Sequence, residues 1–195
     1  MRTKIYLTGA FAILLIIFFI IMNYIINIPI DDKFDVSTVE KENNEYSPLI
    51  EPTAFTTTIN NPYFNLPIGR ELIYEGRTED GIEKIVISIT GETKEIMGVK
   101  TLVYRDKVYI NEELVEDTKD YLAQDAEGNV WYFGEDVDNY ENGEVIDHAG
   151  GWIAAVDGAQ PGIWIKAHHL EGDSYRQEYY QDTAEDMRDV VKVGG

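Results

Sequence analysis

The side chains here that can carry chemistry are mostly carboxylates: 36 Asp and Glu stand against 16 Lys and Arg, with three His and no Cys. Oxygen ligands of this kind suit a calcium ion. Asp136 and Asp138 are the best metal candidates, with Asn139, Glu141 and Asp147 close behind them. Tyr140 and Glu141, however, stand where an EF-hand loop needs an oxygen ligand and its glycine, so the plainer reading is a solvated acidic loop. Residues 125–129 read as a hairpin turn. His168 and His169 are adjacent, and neighbours on a strand point to opposite faces, so with His148 they make surface histidines rather than a transition-metal site. No Ser occupies a Gly-x-Ser-x-Gly elbow. Acidic residues are so abundant that no single pair stands out as a catalytic acid and base.

Aromatic residues offer the second candidate. Trp131, Phe133, Trp152, Trp164, Tyr179 and Tyr180 gather in the C-terminal half, and on a strand Trp131 and Phe133 share a face. Such side chains either fill a core or line the concave face of a curved sheet. Gln160-Pro161-Gly162 has the chemistry of a type II turn, which makes residues 157–162 a corner or the rim of that groove. The candidate ligand-binding set is therefore Trp131, Phe133, Trp152, Trp164 and Gln160. Neither these residues nor the carboxylates imply a cofactor, calcium being the one ion the sequence motivates.

The elements that must position them are strands. Ile85, Ile87 and Ile89 alternate with Lys84, Ser88 and Thr90, the period of a sheet with one buried face. Residues 71–78 precede them across Glu79-Asp80-Gly81. Residues 100–110 and 114–124 flank Asn111-Glu112-Glu113, residues 121–124 pair with 130–134, and Asn142-Gly143 marks another turn. Further strands are expected at 144–148, 152–156, 163–166 and 174–180. Residues 183–191 read as a helix capped by Thr183 or as a ninth strand. The expected fold is mostly β, an antiparallel meander forming a curved sheet or partly open barrel.

One N-terminal transmembrane helix precedes it. Residues 5–30 carry no charged side chain, and a helix of that length, roughly 39 Å at 1.5 Å per residue, exceeds the hydrocarbon core of a bilayer. Arg2 and Lys4 lie before the span while Asp31, Asp32 and Asp35 follow it, which directs the C-terminal part out of the cytoplasm. Ala10 and Ala12, the only small pair resembling a cleavage site, fall inside the apolar core, so the span reads as an uncleaved anchor. Residues 31–53 are polar without apolar period, as in a linker, and residues 54–195 form the β-rich extracytoplasmic domain. Beyond residue 30 there remain 14 basic and all 36 acidic residues, a net of −22. A surface so negative repels phosphate backbones and anionic lipid headgroups, which excludes nucleic acid as a partner.

Asn61-Pro62-Tyr63-Phe64-Asn65-Leu66-Pro67-Ile68-Gly69, Gly128-Asn129-Val130-Trp131-Tyr132-Phe133-Gly134-Glu135, Asp157-Gly158-Ala159-Gln160-Pro161-Gly162-Ile163 and Gly172-Asp173-Ser174-Tyr175-Arg176-Gln177-Glu178-Tyr179-Tyr180 resemble motifs of a family of exported or membrane-anchored bacterial and archaeal proteins that has no assigned activity. The resemblance covers roughly residues 62–191. It implies further strands beyond those read here, so that the expected domain is either a C-terminally shortened variant or a sheet with an exposed edge for a partner to cover. The function expected from all of this is a membrane-anchored binding module for an apolar small molecule or an envelope protein. The alternatives are a carboxylate-dependent hydrolase and a structural, calcium-stabilised surface protein.

Overall fold

The computed structural model describes residues 46–194 and the two-residue strand β1 (Ile5–Tyr6). Ile5–Tyr6, expected to open the transmembrane helix, are instead extended and paired with Tyr74 and Glu75; the rest of that span lies outside the described residues, and among the described residues no helix is long and apolar enough to cross a membrane.

A short 3-10 turn (Pro52–Ala54) and the small hairpin β2 (Asn60–Asn61) and β3 (Phe64–Asn65) lead into the main sheet. Its strands are β4 (Glu71–Arg77), β5 (Ile82–Ser88), β6 (Thr93–Ile96), β7 (Val99–Ile110), β8 (Glu113–Gln124), β9 (Val130–Glu141), β10 (Glu144–Asp147), β11 (Trp152–Ile153) and β12 (Gly162–Ile165). The path runs β4-β5-β7-β8-β9-β10, with β6 paired to β7, β11 and β12 paired to β9, and β1 alongside β4 as the one parallel neighbour among the described residues. The ends of this path do not meet, so the meander stays an open sheet. A separate ribbon pairs β13 (Ser174–Arg176) with β14 (Met187–Asp189).

Three hairpin turns are set by successive residues with φ > 0: Met97 at 53° with Gly98 at 76°, Asn111 at 50° with Glu112 at 73°, and Asn142 at 53° with Gly143 at 80°. This is the conformation whose twist matches that of the flanking strands. The turn after β4 closes through Thr78 N–H donating to the Gly81 carbonyl at 2.8 Å. Asn111 then ties two hairpins together, its Oδ1 accepting from Ile82 N–H at 3.0 Å.

Alternation along β7 and β8 divides the core between two faces. Leu102, Tyr104 and Leu122 share one face with Tyr132, and Val103 and Tyr121 share the other with Phe133. On the Tyr132 face, Tyr132 packs edge-on against Trp152 and Trp164, with centroids 5.1 and 4.9 Å apart, and Phe64 and Tyr104 complete the cluster. On the Phe133 face, Phe55 stands edge-on to both Trp131 and Phe133 at 6.1 and 5.4 Å. Thr56 bridges to Gln124, which carries the chain from one face round to the other.

Of the two readings of residues 183–191, the strand is the one formed. Met187–Asp189 form β14, because Arg188 reaches across the ribbon to Gln177 Oε1 at 2.8 Å and the few apolar residues of this segment cannot cover a helix face. Gln160-Pro161-Gly162 is not a type II turn. Gly162 lacks a positive φ and begins β12, and glycine is needed there because a Cβ would run into the Gln177 carbonyl. The corner is made instead by Ala155, Asp157 and Gly158, with φ of 65°, 50° and 88°. Strand β6 had no signal of its own in the sequence.

Candidate functional site

The decisive local feature is a bulge in β9. Leu122 pairs with Tyr132 and Asp120 with Glu135, so Tyr121 alone faces both Phe133 and Gly134. One extra residue reverses the alternation beyond it. Gly134 makes this possible: its φ is 128°, and a Cβ there would collide with the Trp152 carbonyl oxygen. In consequence Glu135 joins Tyr132 on one face, while Asp136 and Asp138 turn to the other.

The Tyr132 face thereby gathers carboxylates from three adjacent strands: Asp106 from β7, Glu116 and Asp120 from β8, and Glu135 from β9. Glu178, from the segment after β13, stands beside Glu135. Asp120 is buried and accepts a hydrogen bond from the Tyr132 hydroxyl at 2.6 Å. Glu116 accepts from Thr118 Oγ1 at 2.9 Å. Among the described residues, none of these five carboxylates takes part in an ion pair.

Burial without a cation makes the charged form costly. Burial first, then Glu116 and Asp117, pushes the Asp106 carboxyl up to about 7. Burial and the neighbouring Glu178 raise Glu135 to about 8, against a Tyr132 hydroxyl that opposes the rise. Glu178 rises to about 7 through burial and Asp186. Asp120 lies well above the usual carboxylate range through burial, Asp106 and Glu135. The same charges and burial raise the Tyr104 and Tyr132 hydroxyls. Near neutrality the cluster therefore holds protons. Two of its polar atoms lack partners: Asp106 Oδ1 is buried with no donor, and the Nε1 of Trp152, a residue only 4% exposed, points toward Glu178 without closing a hydrogen bond.

A cavity of about 600 Å³ opens beside the cluster and shares Glu135 and Trp152 with it. Ile153, Val156 and Tyr180 form its apolar wall, and Asp117, Asp136, Asp138 and Asp157 add charge. Its cations, Arg105 and Lys119, are already engaged. Arg105 donates to both oxygens of Asp117 at 2.7 and 2.6 Å, and Lys119 pairs with Glu92 at 3.3 Å. His148 lies at the rim, 2.9 Å from Asp138.

Of the five aromatic and polar residues expected to line a groove, this cavity takes in Trp152 alone. Phe133, fully buried, and Trp152 serve the core on opposite faces of the sheet, so the aromatic set does not form one open surface. Trp131 donates its indole N–H to Asp125 at 2.7 Å, Trp164 packs on Tyr132, and Gln160 bonds through its backbone to Tyr179. Asp136 and Asp138 do share a face and border the cavity. Asp136, however, accepts from Lys94 and the Tyr121 hydroxyl, and Asp138 pairs with His148. Among the described residues no three His, Asp or Glu side chains converge as a metal site requires. His168 is exposed, and His169 stacks on Tyr63 with centroids 4.9 Å apart.

The carboxylates of the Tyr132 face escaped the sequence reading. Asp106 and Asp120 had a signal: each occupies an inward-facing position, Asp106 in step with Leu102 and Tyr104 and Asp120 in step with Leu122. Glu135 had none, because simple alternation places it with Trp131 and Phe133. Compared with protein-family models, curated proteins and solved structures, the chain matches none.

Proposed function

We propose that this chain is an extracytoplasmic binding module, held to the membrane by the hydrophobic residues 7–30 that follow β1, whose ligand enters the cavity beside Glu135 and Trp152. The observation that carries this reading is the cavity of about 600 Å³ itself, with an apolar wall of Trp152, Ile153, Val156 and Tyr180 facing the carboxylates Glu135, Asp136 and Asp138. A concave site of mixed apolar and polar lining is the usual form of a small-molecule site. The reading departs from a purely apolar ligand, since part of the lining is acidic.

Two measurements test it. Tryptophan emission of the full chain in nanodiscs, followed across a library of small charged and neutral molecules, should show saturable change for at least one class, lost in Tyr180→Ala. A folded protein that responds to none would overturn the binding reading. Protease added to intact cells should remove the domain, and protection until lysis would overturn the outward topology.

A second reading, a hydrolase working through carboxyl groups, is favoured by Glu135, raised to about 8 beside a Glu178 raised only to about 7. Turnover of a chromogenic glycoside or ester, abolished by Glu135→Gln, would place it ahead of simple binding.

A further inference from the structure

We infer that the outer edge of β10 docks an extended cationic segment of a partner protein, which joins the sheet there as one more strand. The site is separate from the cavity. Its first support is the backbone. β10 ends the path of the main sheet and pairs with β9 alone, and among the described residues no backbone N–H or carbonyl of residues 144–147 bonds beyond that ladder. An edge left in this state is a template for another strand, and residues 135–147 include neither Lys nor Pro, the usual guards against such pairing. The side chains of β10 also have no task in the fold. All four are exposed, Val145 at 44% and Ile146 at 56%, although β-branched residues favour strands because they pack on a covered surface. The hairpin is nonetheless held in place. Asn142 and Gly143 close it with φ of 53° and 80°, and at its far end Asp147 accepts from the Asn139 amide at 2.6 Å and from Ala149 N–H at 3.0 Å. An edge already ordered gives up little entropy when a strand is added.

Charge selects the occupant. Residues 135–147 carry six carboxylates and no Lys or Arg. Glu144 stands directly opposite Glu141, and like charges so placed destabilise a strand pair unless a cation joins them. The next pair, Val145 with Tyr140, lies on the other face. A strand in which Lys or Arg alternates with an apolar residue matches both faces at once, its cations beside Glu141 and Glu144 and its apolar side chains beside Tyr140 and Val145. A second copy does not match: antiparallel pairing centred between Val145 and Ile146 would set Glu144 of each copy against Asp147 of the other and bring in no cation.

The test is fluorescence anisotropy with the full chain in nanodiscs of zwitterionic lipid and three labelled hexapeptides. These are Lys-Val-Lys-Val-Lys-Val, the same peptide with every backbone amide N-methylated, and Glu-Val-Glu-Val-Glu-Val. The first should bind saturably and at least tenfold more tightly than the second, and the acidic peptide should not bind. Glu144→Lys and Val145→Lys, both at exposed positions, should each weaken binding at least tenfold with near-UV circular dichroism unchanged. Equal binding of the methylated peptide would overturn the inference, since charge alone would then account for the attraction. Binding untouched by both substitutions would place the peptide elsewhere, and absence of binding to the folded protein would leave the edge without the stated occupant; each overturns it. Dimerisation in sedimentation that Val145→Lys abolishes would overturn it in favour of a second copy. The cavity reading is judged apart from all of these, by the loss of its ligand in Tyr180→Ala.

Discussion

Glu135→Gln probes the carboxylate cluster most directly. With the carboxyl raised from an ordinary 4.5 to about 8, the folded state keeps a proton that the unfolded chain has lost. Stability is therefore fully present below pH 4.5 and declines through pH 8, at about 1.4 kcal/mol per pH unit. Across that window the loss has a ceiling of about 5 kcal/mol. Glutamine removes the titration but buries an amide whose donors find no acceptor at low pH, at a cost of about 1–3 kcal/mol. At pH 8 the variant should therefore gain roughly 2 kcal/mol, which for a chain of this size is a rise in Tm of about 4–8 °C. At pH 5 it should be no more stable than wild type. Thermal unfolding followed by circular dichroism from pH 5 to 8.5 checks both ends, with two crossing curves expected. A wild-type Tm that stays flat over that range, or a Glu135→Gln curve running parallel to it, would refute the claim that this face holds protonated carboxyls.

Gly134→Ala should be severely destabilising, by about 3 kcal/mol or more, because a Cβ meets the Trp152 carbonyl at a φ few L-residues adopt; chemical denaturation will show it, and a loss below 1 kcal/mol would mean that the bulge can relax. Glu112→Gly relieves a left-handed conformation at φ 73° and should stabilise by about 1 kcal/mol, read as a higher denaturation midpoint with an unchanged m-value. Phe133→Ala empties the fully buried centre of the Phe133 face and should cost about 3–5 kcal/mol, which separates a core residue from a ligand contact. With 36 acidic and 16 basic residues, Tm should rise with salt; calcium and magnesium should act equally at matched ionic strength, and a calcium-specific rise would contradict the absence of a converging metal site among the described residues.

Local chemistry made much of the sheet legible. The alternation of Ile85, Ile87 and Ile89 and the turn pairs Asn111-Glu112 and Asn142-Gly143 place four hairpin strands within a residue or two of where they lie. Period-two burial and a need for φ > 0 are properties of neighbouring residues, so a sequence records them directly. Charge and its consequence, the repulsion of polyanions, are likewise determined by composition alone. The site was decided elsewhere. Glu135 reaches the Tyr132 face only because Gly134 absorbs a bulge against the Trp152 carbonyl, a contact between residues 18 apart in sequence. Its displaced pKa needs Glu178 from yet another segment. Trp152 and Phe133, equivalent in composition as large aromatics, are sent to opposite faces by strand pairing. Gly162, which reads as a turn glycine, is there for close approach to Gln177. Each of these depends on which strands become neighbours and in what register, and that is settled by packing of the whole sheet rather than by any window of the chain.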